Sequence, residues 1–206
     1  MSLWGDAHAA STNKPKFLPQ DENSDYNRAD CYATQAGWVM QAGHPSSGNS
    51  NTGATPEVLV ASGGLAGKDA SSGLRTPTVT AMRFVKGTTA TTDMTAADST
   101  ARIRVEVTWD EEVTVAGTPQ LVVVNGNQSS GGLGNYTLSY ISAGSTANRK
   151  LFEATSQSLG NTDVLTVGAA DIALNSGTLS DTVVGGTTLA ASRVVSGVTQ
   201  VITILS

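Results

Sequence analysis

The eight residues Arg102–Trp109, RIRVEVTW, alternate without a break between polar and apolar side chains. In an extended chain Ile103, Val105, Val107 and Trp109 share one side, and Arg102, Arg104, Glu106 and Thr108 share the other. Wound into a helix, the same four apolar residues would scatter around the axis. The stretch therefore reads as a strand with one dry face and one wet face. Burying four such side chains contributes on the order of 1.5–3 kcal/mol each before entropy is subtracted. Tyr136, Leu138 and Tyr140 repeat the pattern.

Similar runs recur along the second part of the chain: TVTAMRFVKG, ARIRVEVTWDEEVTV, PQLVVVNG, GNYTLSYIS, KLFEATS, DVLTVGA and VTQVITILS. Turn-forming stretches such as VAGTP, VNGN, SSGGLGN and SAGSTAN separate them. Thr, Ser, Gly and Ala dominate, Phe and Trp number three each, and no long stripe of period 3.6 is present. The fold class expected is all-β, and about seven short strands with this punctuation point to a two-sheet β-sandwich.

The chain changes character near SSGLRTPTV. Before it, strand-like runs are short and far apart, CYATQAGWVMQ and PEVLVAS, with the side-chain-poor AGHPSSGNSNTGATP between them. Ordering costs about 1–2 kcal/mol per residue, and so polar a segment has little apolar area to offset it. Residues 1–75 are expected to form an extended, strand-poor N-terminal arm that orders against a neighbour, and residues 76–206 the sandwich. Trp4, Phe17, Leu18, Trp38 and Val39 are the arm's candidate assembly contacts, because apolar anchors of this kind fill pockets on a partner.

Net charge is −5. Residues 1–75 carry five bases and seven acids, and residues 76–206 carry seven and ten. Neither part offers the basic face that nucleic acid or an anionic membrane requires, so neither is expected as a direct partner. No apolar run approaches the ~20 residues that span a bilayer. Cys31 is alone, which excludes an internal disulfide, and the opening MSLWGDAHAASTNKPK lacks the pattern of a secretory signal. Assembly in a cytoplasm is the expectation, and the Asn127 and Asn135 glycosylation patterns then carry no meaning.

No catalytic, cofactor or metal residue is expected. Asp110, Glu111 and Glu112 end one strand run, with Asp110 and Glu112 on one side and Glu111 on the other, which reads as a solvated turn, with a weak surface cation site as the alternative. The spacing of a calcium-binding loop is absent from them. His8 and His44 lie far apart among polar residues, so with one Cys they make neither a zinc ligand set nor a relay. GGLAGKDASSG departs from the phosphate-loop pattern at Ser62 and Asp69. Trp109 belongs to the dry strand face, and Trp38 anchors the arm.

RVEVTWDEEVTVAGTPQLVVVNG, then NYTLSYISAG and DVLTVGAADIALNSGTLSD, resembles the bacterial immunoglobulin-like repeats of surface and virion proteins. The likeness covers residues 76–190, and SDTVVGGTTLAAS departs from it, so it does not place the last strand. MSLWGDAHAASTNKPKFLPQD, CYATQAGWVMQAG and PEVLVASGGLAG resemble the opening of structural proteins of marine tailed bacteriophages. Together these resemblances imply a non-enzymatic virion component, a head decoration or cement protein first and a neck or tail protein second. Its partners would be other virion proteins, such as the major capsid, neck or tail protein, and it would form a homo-oligomer or multicopy array. An adhesin-like glycan-binding module remains open, with Asn127, Gln128, Asn148 and Arg149 in its candidate loops.

Overall fold

The computed structural model of the chain describes residues 15, 18, 28–43, 49–61, 63, 65–66, 76–86, 89–91, 94–95, 102–126, 134–155, 157, 159–181, 190–195 and 198–205. Its strands are β1 (Tyr32–Thr34), β2 (Gly37–Met40), β3 (Glu57–Ala61), β4 (Val79–Lys86), β5 (Thr89–Ala90), β6 (Met94–Thr95) and β7 (Arg102–Trp109). There follow β8 (Val113–Ala116), β9 (Gln120–Asn125), β10 (Tyr136–Ile141), β11 (Arg149–Thr155), β12 (Val164–Val167), β13 (Thr178–Asp181) and β14 (Gln200–Leu205). A 3₁₀ turn, Arg28–Asp30, precedes β1. The chain is all-β.

All seven expected runs lie on strands, and the longest divides at its acids into β7 and β8. The sequence reading did not anticipate β5, β6 or β13. The main sheet runs β5–β4–β7–β11–β10–β9–β12–β14–β6, and β8 pairs with β13 apart from it. Neighbours in this order are antiparallel except β14 and β6.

The sheet curls so that β14 returns to β4, where the Phe84 amide donates to Gln200 Oε1 at 2.6 Å. The concave side holds one core. Ile103, Val105, Val107 and Trp109 meet Phe84, Leu121, Val123, Tyr136, Leu138, Phe152, Leu165, Ile202 and Ile204 there. The dry face predicted for β7 is thus the core face. Trp109 also donates its indole N–H to the Ser192 carbonyl at 3.0 Å, which satisfies the one polar atom of a buried ring.

The convex side differs from the expectation. Glu106 and Thr108, assigned to the wet face of β7, are buried. What covers that face comes from the segment expected to be a strand-poor arm. Residues 32–61 instead contain a three-stranded antiparallel sheet, β1–β2–β3, with Trp38 opposite Ala33 on one side and Val60 on the other. Ala33, Trp38 and Met40 of this sheet form a second, small core with Leu18, Cys31, Leu65 and Ala66. That core supplies apolar area that was not expected from the composition of residues 1–75. The expected boundary near residue 75, and the candidate contacts Trp4 and Phe17, lie outside the described residues.

Candidate functional site: a buried charged seam

The segment and the curled sheet meet along a seam of charged and polar groups. Register places Arg83 of β4 beside Glu106 of β7, and Glu106 beside Leu151 of β11, all on the convex face. Arg83 Nε donates to Glu106 Oε1 at 2.9 Å. Its Nη2 forms an ion pair with Asp30, the last residue of the 3₁₀ turn. Arg149 approaches the other oxygen of Glu106 at 3.5 Å. Burial by itself would lower the Arg83 pKa, but Asp30 and Glu106 outweigh it and raise the value, so the guanidinium stays charged. Two acids thus share one buried cation, and each comes from a different part of the chain.

Beside the ion pair, Asn148 donates its side-chain N–H groups to the carbonyls of Asp30, at 3.2 Å, and Trp109, at 3.1 Å. It ties the 3₁₀ turn to the end of β7. Asn148 is fully buried, so it cannot serve as the loop contact for a glycan that its position suggested, and Arg149 is engaged with Glu106. Asn127 and Gln128 lie outside the described residues, as do His8 and His44.

The acid triplet closes the seam. Asp110 and Glu111 are each 1% exposed and only Glu112 faces solvent, which corrects the reading of all three as a solvated turn. The cause is a contact between distant parts of the chain. The Ala33 amide of β1 donates to the Asp110 carbonyl at 2.6 Å, and Ala33 forms a parallel bridge with Glu111. The first edge strand of the small sheet therefore lies against the β7–β8 corner. Asp110 Oδ1 accepts from the Thr78 amide at 2.6 Å and Oδ2 from the Thr78 hydroxyl. Glu111 has no comparable support: among the described residues neither carboxyl oxygen has a hydrogen-bond partner.

Burial, with Asp110 and Asp181 nearby, raises the Glu111 pKa to about 8. Burial likewise lowers Lys150 to about 8 against the opposing pull of Glu112, while its Nζ donates to the Thr146 carbonyl at 2.5 Å. Tyr32 is raised by burial and then by Glu112, with Arg149 opposing. The ionisable groups with displaced pKa values thus gather at the seam.

Of the remaining candidate contacts, Leu18, Trp38 and Val39 are buried by this chain's own residues. Leu18 and Trp38 belong to the small core, and Val39 stands in register between Tyr32 and Val58. Sequence reasoning did not single out Asp30, Arg83 or Glu106; for Arg83 and Glu106 a charge in the interior of a strand run was the signal available, and for Asp30, in the turn before β1, there was none. Among the described residues, no group of three or more His, Cys, Asp or Glu is placed to hold a metal ion. No helix there is long and apolar enough to cross a membrane. No family model, curated protein or solved structure matches the chain.

Proposed function

We propose that the chain is a non-enzymatic structural protein of a tailed-phage virion, in which an immunoglobulin-like sandwich is fixed to a neighbouring assembly by the preceding segment. The observation that carries the reading is strand order. The run β4–β7–β11–β10 followed by β9–β12–β14 corresponds to A–B–E–D and C–F–G, the two sheets of an immunoglobulin-like domain, here joined through the β10–β9 pair. The likeness of residues 76–190 to bacterial immunoglobulin-like repeats agrees with that order, and the likeness of the opening residues to phage structural proteins supplies the virion setting.

Function in such a protein is assembly. The seam sets the orientation of the leading segment on the sandwich, so that a neighbour gripping one positions the other. Repetition on a symmetric particle then lets individually weak contacts add. The role favoured is decoration or cementing of the head, with the neck or tail as the second placement.

Cryo-electron microscopy of the particle tests this directly. Regular density for the chain on the head lattice is the expected result, and density at the neck or tail selects the second placement. Absence from purified particles overturns the reading, and selective glycan binding by the purified chain would replace it with adhesion.

A further inference from the structure

We propose that Glu111 is a proton-operated latch between the leading segment, residues 28–66, and the curled sheet. Protonated, its side chain lies in the seam without charge; deprotonated, it adds a third negative group beside Asp110 and Asp181 and lets β1 part from the β7–β8 corner. This goes beyond the structural role proposed above and does not depend on it.

Three features of the seam carry the inference. Glu111 is almost wholly buried, and among the described residues both its carboxyl oxygens lack a hydrogen-bond partner, which is a costly position for a charged carboxylate and a tolerable one for a neutral acid. The charges that raise its pKa are both negative: the adjacent Asp110, held in place by Thr78, and Asp181 at the end of β13. Finally, Glu111 is itself the residue bridged to Ala33, so backbone movement at Glu111 is movement of the docking contact.

The surrounding groups do not relieve a charge there. Arg149 on β11 is engaged with Glu106, and Lys150 on the same strand donates to the Thr146 carbonyl and interacts with Glu112. On β1, the neighbouring Tyr32 donates its hydroxyl to Gln41 at 3.4 Å. Asp30 and Arg83 pair with each other further along the seam, so the leading segment keeps a second hold while the corner opens. The expected motion is therefore a local opening of β1 and β2 rather than unfolding of the chain.

Hydrogen–deuterium exchange on the full chain, corrected for intrinsic exchange, separates the alternatives. Between about pH 6 and pH 9.5, amides in residues 32–40 of the wild type should exchange ~10-fold faster, while those of β11 change little. In Glu111→Gln, which carries no titratable group at that position, the 32–40 amides should keep their low-pH protection throughout. Equal pH dependence in wild type and variant assigns the opening to another group, Lys150 included, and overturns the proposal. Should the variant not fold, the carboxyl-carbon titration of Glu111 in the wild type decides instead. A midpoint near 8 is expected, and one in the ordinary carboxylate range overturns the latch.

Discussion

Asp30 and Arg83 are separated by 53 positions in sequence and form an ion pair whose side chains are 1% and 5% exposed. The acid stands at the end of a 3₁₀ turn, and the base projects from the convex face of β4 toward it. Such a pair is poor as a general source of stability, because desolvating two charges offsets most of their attraction. Its value is specific. Docking buries Arg83, which keeps Glu106 as a partner from its own sheet and gains Asp30 from the leading segment, so the covered face is best satisfied in the register that brings Asp30 to it.

The first prediction concerns that pair. Asp30→Ala leaves Arg83 with Glu106 alone in a dry seam and should destabilise docking by about 3 kcal/mol. A double-mutant cycle with Arg83→Met should return a coupling of about 1–3 kcal/mol. Denaturant titration measures it, and additive single effects would show that the contact contributes orientation without energy.

Trp38 tests whether the small sheet has a core of its own. Its ring packs with Cys31, Met40 and Leu65, away from the main core. Trp38→Ala should cost about 3–5 kcal/mol within that unit. Proteolysis should then cut in residues 28–61 while β7, β11 and β10 remain protected. Loss of both regions together would mean that the two cores unfold as one.

Glu111 and Lys150 give the pH dependence opposite signs in adjacent windows. The Glu111 pKa rises from 4.5 to about 8, so between those values the folded chain holds a proton that the unfolded chain has released. Its contribution is complete below 4.5 and is lost as pH rises toward 8. Lys150 falls from 10.5 to about 8, so between 8 and 10.5 the unfolded chain holds the extra proton and stability recovers with pH. Melting temperature against pH should pass through a minimum near 8. Glu111→Gln should flatten the falling limb and Lys150→Met the rising one.

Gly117 and Gly177 form a close crossing at the turns that flank the β8–β13 pair. Gly117 has φ +72°, and a Cβ there would stand 2.8 Å from Gly177 Cα; a Cβ on Gly177 would stand 2.5 Å from the Ala116 carbonyl oxygen. Both obstacles are backbone, so Gly177→Ala should cost about 1–3 kcal/mol. Gly63→Ala meets nothing within 4 Å and should stay within about 0.5 kcal/mol of wild type. Thermal melts of the two variants make the comparison.

By itself, the sequence located the longer strands of the main sheet and, for β7 and β10, the side that faces the core. Alternation is a local property, so Ile103, Val105, Val107 and Trp109, or Tyr136 and Leu138, could be assigned inward before any pairing was known. Polar residues on the opposite side carry no such instruction. Arg83, Glu106, Asp110 and Glu111 would be wet on an uncovered sheet and became buried because residues 28–34, distant in sequence, lie across them. The leading segment was underestimated for a related reason: Cys31, Trp38, Met40 and Leu65 are too widely spaced to read as a core until β1, β2 and β3 bring them together. Periodicity fixes what one strand presents to each side, and only tertiary contact decides whether the second side meets water or another part of the chain.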